Sequence, residues 1–209
     1  MSLKTLRSDP MNSCWRNVYR TGPKPGSFTG RGDLVEGGSC TIEATEVQPG
    51  IYDLKAVATS SAGRDYFYPW LRRGVGWVKV PKNVPDGTIV MTGGVNGCTI
   101  VVTEFMSNYY FYHDGDSKYL NPALTTGSEV ARVTPKDYDP LAWGQKKFEE
   151  ALQEAGRSGT ALSGVVSYGH FVVAVKSGGR FGIYVTGAMS LNGLTKLPVG
   201  VTPCVVTFD

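Results

Sequence analysis

The chain has 209 residues, a formal net charge of +3 and 41% hydrophobic residues. A hydrophobic content near the globular average, combined with a low net charge, excludes an intrinsically disordered chain. The charge is too small to indicate a nucleic-acid-binding protein, for which a concentrated basic face is expected. No apolar run reaches the roughly 20 residues of a membrane helix. A chain of this length buries a core without disulfides, so one or at most two domains are expected.

Residues 1–38 are crowded with glycine and proline, which predicts an irregular arm or extended loop ahead of a single domain over residues 39–209. The first 20 residues have no continuous apolar stretch of the kind that a signal peptide requires. Arg31-Gly32-Asp33 matches an adhesion tripeptide. Such matches are frequent by chance in glycine-rich loops, and we assign it no role.

The rest of the chain is mostly β in pattern. Short alternating or β-branched runs are separated by turn formers such as Gln48-Pro49-Gly50 and Pro85-Asp86-Gly87. The predicted strands are Cys40–Val47, Ile51–Thr59, Gly76–Val80, Thr88–Thr92, Cys98–Phe105, Tyr109–His113, Val130–Thr134, Val165–Lys176, Arg180–Thr186 and Val201–Phe208. Short strands with regular turns favour a sandwich or a pair of mixed sheets over a doubly wound fold.

One segment predicts a helix. Asp139 can cap its first turn, Pro140 suits the first helical position and Gly156 is placed to end it. Apolar residues recur on one face of this segment and charged residues lie mostly on the other. A helix of this kind packs on a sheet face, so the predicted fold class is α+β with a mixed or antiparallel β-sandwich core.

Cysteine and histidine are scarce, with four and two residues respectively. No CxxC motif and no Cys/His pair at zinc spacing occurs, which predicts free thiols and no metal site. No phosphate loop or dinucleotide fingerprint has the strand–turn–helix context that it needs, so no cofactor is expected. Any pair of a nucleophile and a base must therefore come from very few candidates.

The most informative segment spans residues 91–115. A glycine-rich turn delivers Cys98 at the start of a strongly β strand, and an aromatic strand that ends in His113 follows almost at once. Two strands this close in sequence predict an antiparallel hairpin. A two-residue loop at Met106-Ser107 would place His113 opposite Ile100 and Cys98 opposite Gly115.

A four-residue loop, residues 104–107, would instead place Cys98 directly across from His113. Either loop puts both side chains on one face of the hairpin, with Cβ atoms about 5–8 Å apart. A loop with an odd number of residues and no bulge would put the two side chains on opposite faces of the hairpin.

A thiol and an imidazole at that range predict a catalytic dyad. An adjacent imidazolium favours the reactive thiolate, and the imidazole can later protonate a leaving group. Gly93, Gly94 and Gly97 permit a tight turn whose N–H groups face a developing oxyanion. The structural alternative is an inert core cysteine and a histidine at a strand end.

Gly97-Cys98-Thr99 before a β-branched strand, and Tyr110-Phe111-Tyr112-His113 before Gly115, resemble the catalytic core of the cytotoxic necrotizing factor family. These bacterial toxins deamidate a glutamine of Rho GTPases, with the nucleophile in a Gly-Cys-Thr element and a histidine 15 residues later, as here. The resemblance covers residues 95–115. It implies Cys98 as nucleophile and His113 as its base. Together with the glycine argument above, the predicted oxyanion-loop residues are Gly94, Asn96 and Gly97. Asn96 departs from the family's usual serine.

The resemblance further implies a secreted or injected bacterial effector that acts in the target-cell cytosol. Its partner would be a Rho-family GTPase or another host protein, and its mechanism would pass through a thioester. Transglutamination, in which an amine replaces water, is a secondary expectation. The chain is expected to be a monomer that needs no cofactor, and it is too short to include receptor-binding and translocation regions.

Two alternatives remain open from the sequence. Cys98 could pair with His170, which opens a hydrophobic strand as in papain-like peptidases and amidases, although those enzymes usually place the cysteine at a helix start. Alternatively, the chain is a non-catalytic β-sandwich binding module whose recognition aromatics lie in residues 66–70 and 109–112.

Overall fold

The computed structural model describes residues 2–28, 30, 32–59, 61, 63–162, 166–200 and 202–209. The fold is α+β, as predicted: two β-sheets face each other and short helices lie around them. No helix in the described part of the chain is long and apolar enough to cross a membrane.

The described residues form fourteen strands and four α-helices. The strands are β1 Val18–Pro23, β2 Leu34–Glu36, β3 Gly38–Gln48, β4 Ile51–Ala58, β5 Asp65–Phe67, β6 Val75–Pro81, β7 Ile89–Gly94, β8 Thr99–Phe105, β9 Asn108–Asp114, β10 Ser128–Val133, β11 Ser167–Ser177, β12 Arg180–Ser190, β13 Leu194–Leu197 and β14 Cys204–Phe208. The helices are α1 Ser2–Ser8, α2 Pro10–Arg16, α3 Pro135–Tyr138 and α4 Trp143–Arg157.

The larger sheet has the order β1-β4-β3-β5-β7-β11-β12-β13, with β14 also paired to β12. The smaller sheet has the order β10-β8-β9-β6-β2. Most neighbours are antiparallel, but β1 with β4, β5 with β7 and β2 with β6 are parallel. The sheets are therefore mixed, which agrees with the sequence prediction.

The main core fills the space between the two sheets. Alternation along β11 shows the arrangement: Val172 and Ala174 belong to the core shared with the smaller sheet, while Val173 and Val175 belong to a second core on the opposite face. The second core is covered by α1, α2 and β1. Both faces of the central strands are thus buried, which explains their nearly continuous apolar sequences.

Regular structure begins earlier than the glycine and proline content indicated. Residues 2–16 form α1 and α2, and β1 adds to the larger sheet, so the first part of the predicted irregular arm is ordered. Asp9 caps α2, accepting a hydrogen bond from the Asn12 N–H at 3.2 Å. Helices of seven residues are too short to show a helical period in sequence. The domain division at residues 38 and 39 stays a prediction.

All ten predicted strands have a counterpart within one to a few residues, although Val165 and Val201, the first residues of two of them, lie outside the described residues. The pattern missed β2, β5 and β13, which have only three or four residues, and β1, whose six residues include Gly22 and Pro23. The predicted helix is present as α4, but it begins at Trp143 rather than Pro140. Residues 140–142 form a 3₁₀ turn in which Leu141 has φ of +57°.

Candidate functional site

The hairpin of β8 and β9 has the two-residue loop, because Phe105 pairs with Asn108. His113 lies opposite Ile100, and Thr99 lies opposite Asp114. Met106, the first loop residue, has φ of +54°, a value suited to a tight turn between twisted strands. The four-residue alternative is therefore excluded.

Cys98 and His113 lie on the same face of this hairpin. Continuing the register by one residue places Cys98 opposite Gly115, so Cys98 and His113 are diagonal neighbours, typically about 7–8 Å apart. Their shared face is the one that packs against the larger sheet. Both side chains are buried, with 1% of Cys98 and none of His113 exposed.

The imidazole of His113 is fixed from one side only. Its Nδ1 lies 2.7 Å from the hydroxyl oxygen of Thr92 on β7, while its Nε2 is buried without a hydrogen-bond partner among the described residues. Burial lowers the pKa of His113 to about 3. The imidazole is therefore neutral near pH 7, and Nε2 is the nitrogen left available for chemistry.

The Cys98 thiol lies among polar groups of three segments. It donates to the Asn96 carbonyl oxygen at 3.7 Å, and the Trp70 indole and the Asp116 backbone N–H are hydrogen-bond donors to its sulfur. Burial raises the pKa of Cys98 more than these two donors lower it. Among the described residues no hydrogen bond joins Cys98 to His113. The resting pair is thus a neutral thiol beside a neutral imidazole.

The turn that follows β9 is held firmly against the thiol. The Asp114 carboxylate accepts three backbone N–H bonds, from Lys118, Tyr119 and Leu120, at 2.7–3.1 Å. Ser117 donates its hydroxyl to the Gly97 carbonyl oxygen at 2.9 Å. Asp114 therefore stabilises the turn, and the turn positions the Asp116 N–H at the sulfur.

The three predicted oxyanion-loop residues occupy different environments. Gly97 has φ of +78° and is exposed, in a conformation suited to glycine. Asn96 uses its side chain to bind β11: its Nδ2 donates to the Tyr168 carbonyl oxygen at 2.7 Å, and its Oδ1 accepts from the His170 N–H at 3.1 Å. Gly94 ends β7 and pairs with Phe171. The Asn96 amide is thus engaged in structure.

Trp70 lies between the thiol and the solvent. Its side chain is 48% exposed and lines a groove of about 340 Å³ that also includes Gly94 and Asn96. The backbone that follows Trp70 passes very close to Gly115, just after β9. A side chain at Gly115 would not fit, since its Cβ would lie 2.5 Å from the Leu71 carbonyl oxygen. This close approach brings the indole next to Cys98.

His170 lies on β11, and Tyr138 connects its surroundings to Cys98. The Tyr138 hydroxyl donates to the Cys98 carbonyl oxygen at 3.0 Å, and the Tyr138 ring centroid is 5.3 Å from that of His170. His170 is 1% exposed and its Nε2 has no hydrogen-bond partner in the described residues. No hydrogen bond joins His170 to the Cys98 thiol in that part of the chain.

Most of the aromatic residues considered as a recognition surface are in the core. Tyr109, Phe111 and Tyr112 are buried, as are Phe67 and Tyr68. All four cysteines are free thiols. No group of three or more His, Cys, Asp or Glu side chains is placed to hold a metal ion in the ranges that the structure describes.

Sequence reasoning missed Thr92 and the Asp116 backbone N–H, and it considered Trp70 only as a recognition aromatic of the binding-module alternative. Thr92 lies in a predicted strand, but nothing in its neighbours indicates a contact with a residue 21 positions later. The contact exists because β7 and β9 face each other across the main core. Trp70 and Asp116 meet the sulfur through turns whose paths depend on tertiary packing.

Comparison with known proteins gives a partial match. Residues 32–128 match the family model of the Mcf1 activator-binding domain. This region, slightly less than half of the chain, covers the Gly-rich turn and the whole β8–β9 hairpin. A region of the chain is thus similar to a toxin-related domain.

Among solved structures, the C-terminal domain of CNFy from Yersinia pseudotuberculosis has 11% sequence identity and a TM-score of 0.27. The match covers 63% of this chain and 61% of that chain, less than two thirds of either. A TM-score this low does not establish a common fold. No curated protein matches the chain.

Proposed function

We propose that the chain is a toxin or effector domain that deamidates a glutamine side chain of a protein, with Cys98 as nucleophile and His113 as its base. The observation that supports this most directly is the hairpin register. It puts a buried thiol and an imidazole with a free Nε2 on one face as diagonal neighbours. The resemblance to glutamine-deamidating toxins and the match to a toxin-related domain agree with this proposal.

In the proposed reaction His113 takes the thiol proton as the sulfur attacks the carboxamide carbon. The resulting imidazolium protonates the leaving nitrogen, and ammonia departs as the thioester forms. Water then hydrolyses the thioester with His113 as base, which releases glutamate and restores the thiol. The neutral resting pair suits this sequence, because His113 accepts the proton only during attack.

The donors at the sulfur have a role in the same reaction. The Asp116 N–H and the Trp70 indole N–H stabilise negative charge on sulfur or on the tetrahedral oxyanion next to it. Trp70 must also shift to admit substrate, since Cys98 is 1% exposed. The groove beside Trp70 is the proposed entrance.

The proposed partner is a small GTPase of the Rho family or another host protein. In such a GTPase, conversion of the water-orienting glutamine to glutamate would abolish GTP hydrolysis and keep the GTPase in its active, GTP-bound state. The proposed site of action is the cytosol of a target cell, reached by secretion or injection from a bacterium. Transglutamination through the same thioester remains a secondary proposal.

Peptide mass spectrometry of purified Rho-family GTPases after incubation with the chain tests this function. Wild type and the matched control Cys204→Ser are expected to produce an amide-to-acid mass shift at one glutamine, and Cys98→Ser is expected to produce none. His113→Gln should lower the rate roughly 100- to 10,000-fold, whereas His170→Gln should leave most of it. If His170→Gln alone abolished the shift, the papain-like pairing would replace this one.

A second candidate is a domain that binds a protein without catalysis. The description of the matched family as an activator-binding domain favours it, as does the burial of Cys98. Expression in eukaryotic cells, followed by a proteome-wide search for deamidation, separates the two functions. A cellular effect that is identical for wild type and Cys98→Ser, without deamidation, would support binding alone.

A further inference from the structure

Two hydroxyl groups join the segments on either side of Cys98, and the chemistry proposed above does not use them. The hydroxyl oxygens of Thr99 and Ser117 are 2.6 Å apart, and the Ser117 hydroxyl donates to the Gly97 carbonyl oxygen at 2.9 Å. Gly97 and Thr99 are the two chain neighbours of Cys98. One serine of the turn after β9 is therefore bonded to both sides of the thiol-bearing residue.

The direction of these hydrogen bonds follows from the number of protons. A carbonyl oxygen can only accept, so the single hydroxyl proton of Ser117 goes to Gly97. The Thr99 hydroxyl must then donate to the Ser117 hydroxyl oxygen. This hydroxyl chain runs from Thr99 through Ser117 to the Gly97 carbonyl, and each bond polarises the next. Thr99 is 4% exposed, so without Ser117 its hydroxyl would be buried with no partner among the described residues.

The backbone of this turn has a conformation that its residue types do not favour. Asp116 has φ of +53° and Ser117 has φ of +56°, both in the left-handed region. Both residues are exposed, so packing of their side chains in the core does not impose it. Such conformations persist only where the surrounding contacts hold them. Here those contacts include the hydroxyl chain and the three backbone N–H bonds to the Asp114 carboxylate.

Asp116 lies between two anchored residues of this turn. On one side the Gly115 N–H donates to the Gly74 carbonyl oxygen at 3.0 Å, and on the other side the hydroxyl chain holds Ser117. The Asp116 backbone N–H is a donor to the Cys98 sulfur. Burial raises the pKa of Cys98, and this donor opposes the effect of burial. The two anchors therefore limit how far the N–H can move from the sulfur.

We propose that Ser117 is a positioning residue, whose hydroxyl ties both chain neighbours of Cys98 to the turn and so keeps the Asp116 N–H directed at the sulfur. A backbone N–H stabilises a thiolate more than a thiol, because hydrogen bonds to charged groups are stronger. Its alignment therefore sets the fraction of reactive thiolate. The inference rests on the proposed role of Cys98 as nucleophile, but it does not depend on which substrate the chain modifies.

The rate at which iodoacetamide alkylates Cys98 tests this role without a substrate. Peptide mass spectrometry follows the folded protein at pH 7.5 and across the titration range of the thiol, with half-buried Cys204 as reference in the same samples. Ser117→Gly is the decisive variant, because glycine adopts the left-handed conformation freely and only the hydroxyl is lost. We expect Cys98 to be alkylated about three- to tenfold more slowly in this variant at pH 7.5. The rates should converge at high pH, where the thiol is ionised in both proteins.

Substitutions of Thr99 test the other end of the hydroxyl chain. Thr99→Val keeps the shape of the side chain and removes the donor, so alkylation of Cys98 should be about two- to fivefold slower. Thr99→Ser keeps the hydroxyl and should restore the wild-type rate. Ser158→Ala is the matched control, because it also removes a serine hydroxyl that donates to a carbonyl oxygen, that of Glu154, at 2.9 Å. This control should react like wild type.

A purely structural role of Ser117 predicts the opposite change, since a loosened turn would open the site and speed up alkylation of Cys98. The inference is overturned if Cys98 of Ser117→Gly reacts as fast as that of wild type or faster. It is also overturned if Thr99→Val reacts like Ser158→Ala, or if Thr99→Ser does not restore the rate. Deamidation measured on the same proteins gives a separate answer. Slower alkylation in Ser117→Gly, with no deamidation even by wild type, would support the positioning role and refute the proposed function.

Discussion

Acidification should destabilise this protein through His113 before its carboxylates are extensively protonated. The pKa of the buried imidazole is about 3, against an ordinary value of 6.5. Between these values the unfolded chain binds a proton that the folded chain excludes. Since stability rises with pH wherever the unfolded state binds more protons, the free energy of unfolding must fall as the pH drops below about 6.5.

The magnitude follows from the two pKa values. A pH of 5 lies 1.5 pH units below the unfolded pKa of 6.5, so the imidazole of the unfolded chain is protonated, while the folded imidazole stays neutral. Each unit corresponds to about 1.4 kcal/mol, so His113 should lower the free energy of unfolding by about 2 kcal/mol between pH 7.5 and pH 5. This is a large fraction of the stability of an ordinary domain.

Urea unfolding of wild type and His113→Gln at both pH values isolates this contribution. Glutamine does not titrate, and the carboxylates and His170 are common to both proteins. The acid-induced loss should therefore be about 2 kcal/mol smaller in the variant than in wild type. Equal losses in the two proteins would mean that the pKa of His113 is the same in the folded and unfolded states, and the assigned effect of burial on this imidazole would be wrong.

Two further substitutions test a contact of His113 and a buried ion pair of α1. Thr92→Val should cost about 1–3 kcal/mol of stability in urea unfolding because it leaves His113 Nδ1 without its partner, and Thr92→Ser should restore most of it; no difference between Val and Ser would refute the role of the hydroxyl. Arg7→Met should cost about 3–5 kcal/mol by leaving the buried Asp65 carboxylate unpaired. The control Lys24→Met, at an exposed ion pair, should cost less than about 1 kcal/mol. Equal shifts of the melting temperature in Arg7→Met and Lys24→Met would show that α1 does not contribute to the stability of the fold.

The hairpin was largely predictable because its determinants are local. Parity alone put Cys98 and His113 on one face for either even loop, and the sequence left only the loop length open. Met106 has a positive φ that its residue type does not signal. A glycine or asparagine at that position would have indicated the short loop, so the register had to come from the structure.

The rest of the site depends on long-range packing that no local pattern contains. Thr92 reaches His113 because β7 of one sheet faces β9 of the other, and sequence gives neither the sheet order nor the facing strands. The parallel pairing of β1 with β4 likewise depends on the sheet order, which the sequence does not give. Asp139 shows the intermediate case: its capping role was visible in the sequence, but the 3₁₀ turn moved the helix start, so its Oδ1 accepts the Gly144 N–H inside α4.

The distribution of unsatisfied groups bears on whether this region is a site at all. Among the described residues the buried side-chain atoms without a partner are Thr21 Oγ1, His113 Nε2 and His170 Nε2. Such a group typically costs about 1–3 kcal/mol, and a core needs none of them. Two of the three belong to the two histidines of the chain, and both histidines lie near residues 95–98, whose Val95 N–H donates to the His170 carbonyl oxygen. Two such costs near one glycine-rich turn are easier to explain by a functional role of the imidazoles than by packing, for which an apolar side chain of similar volume would be more favourable.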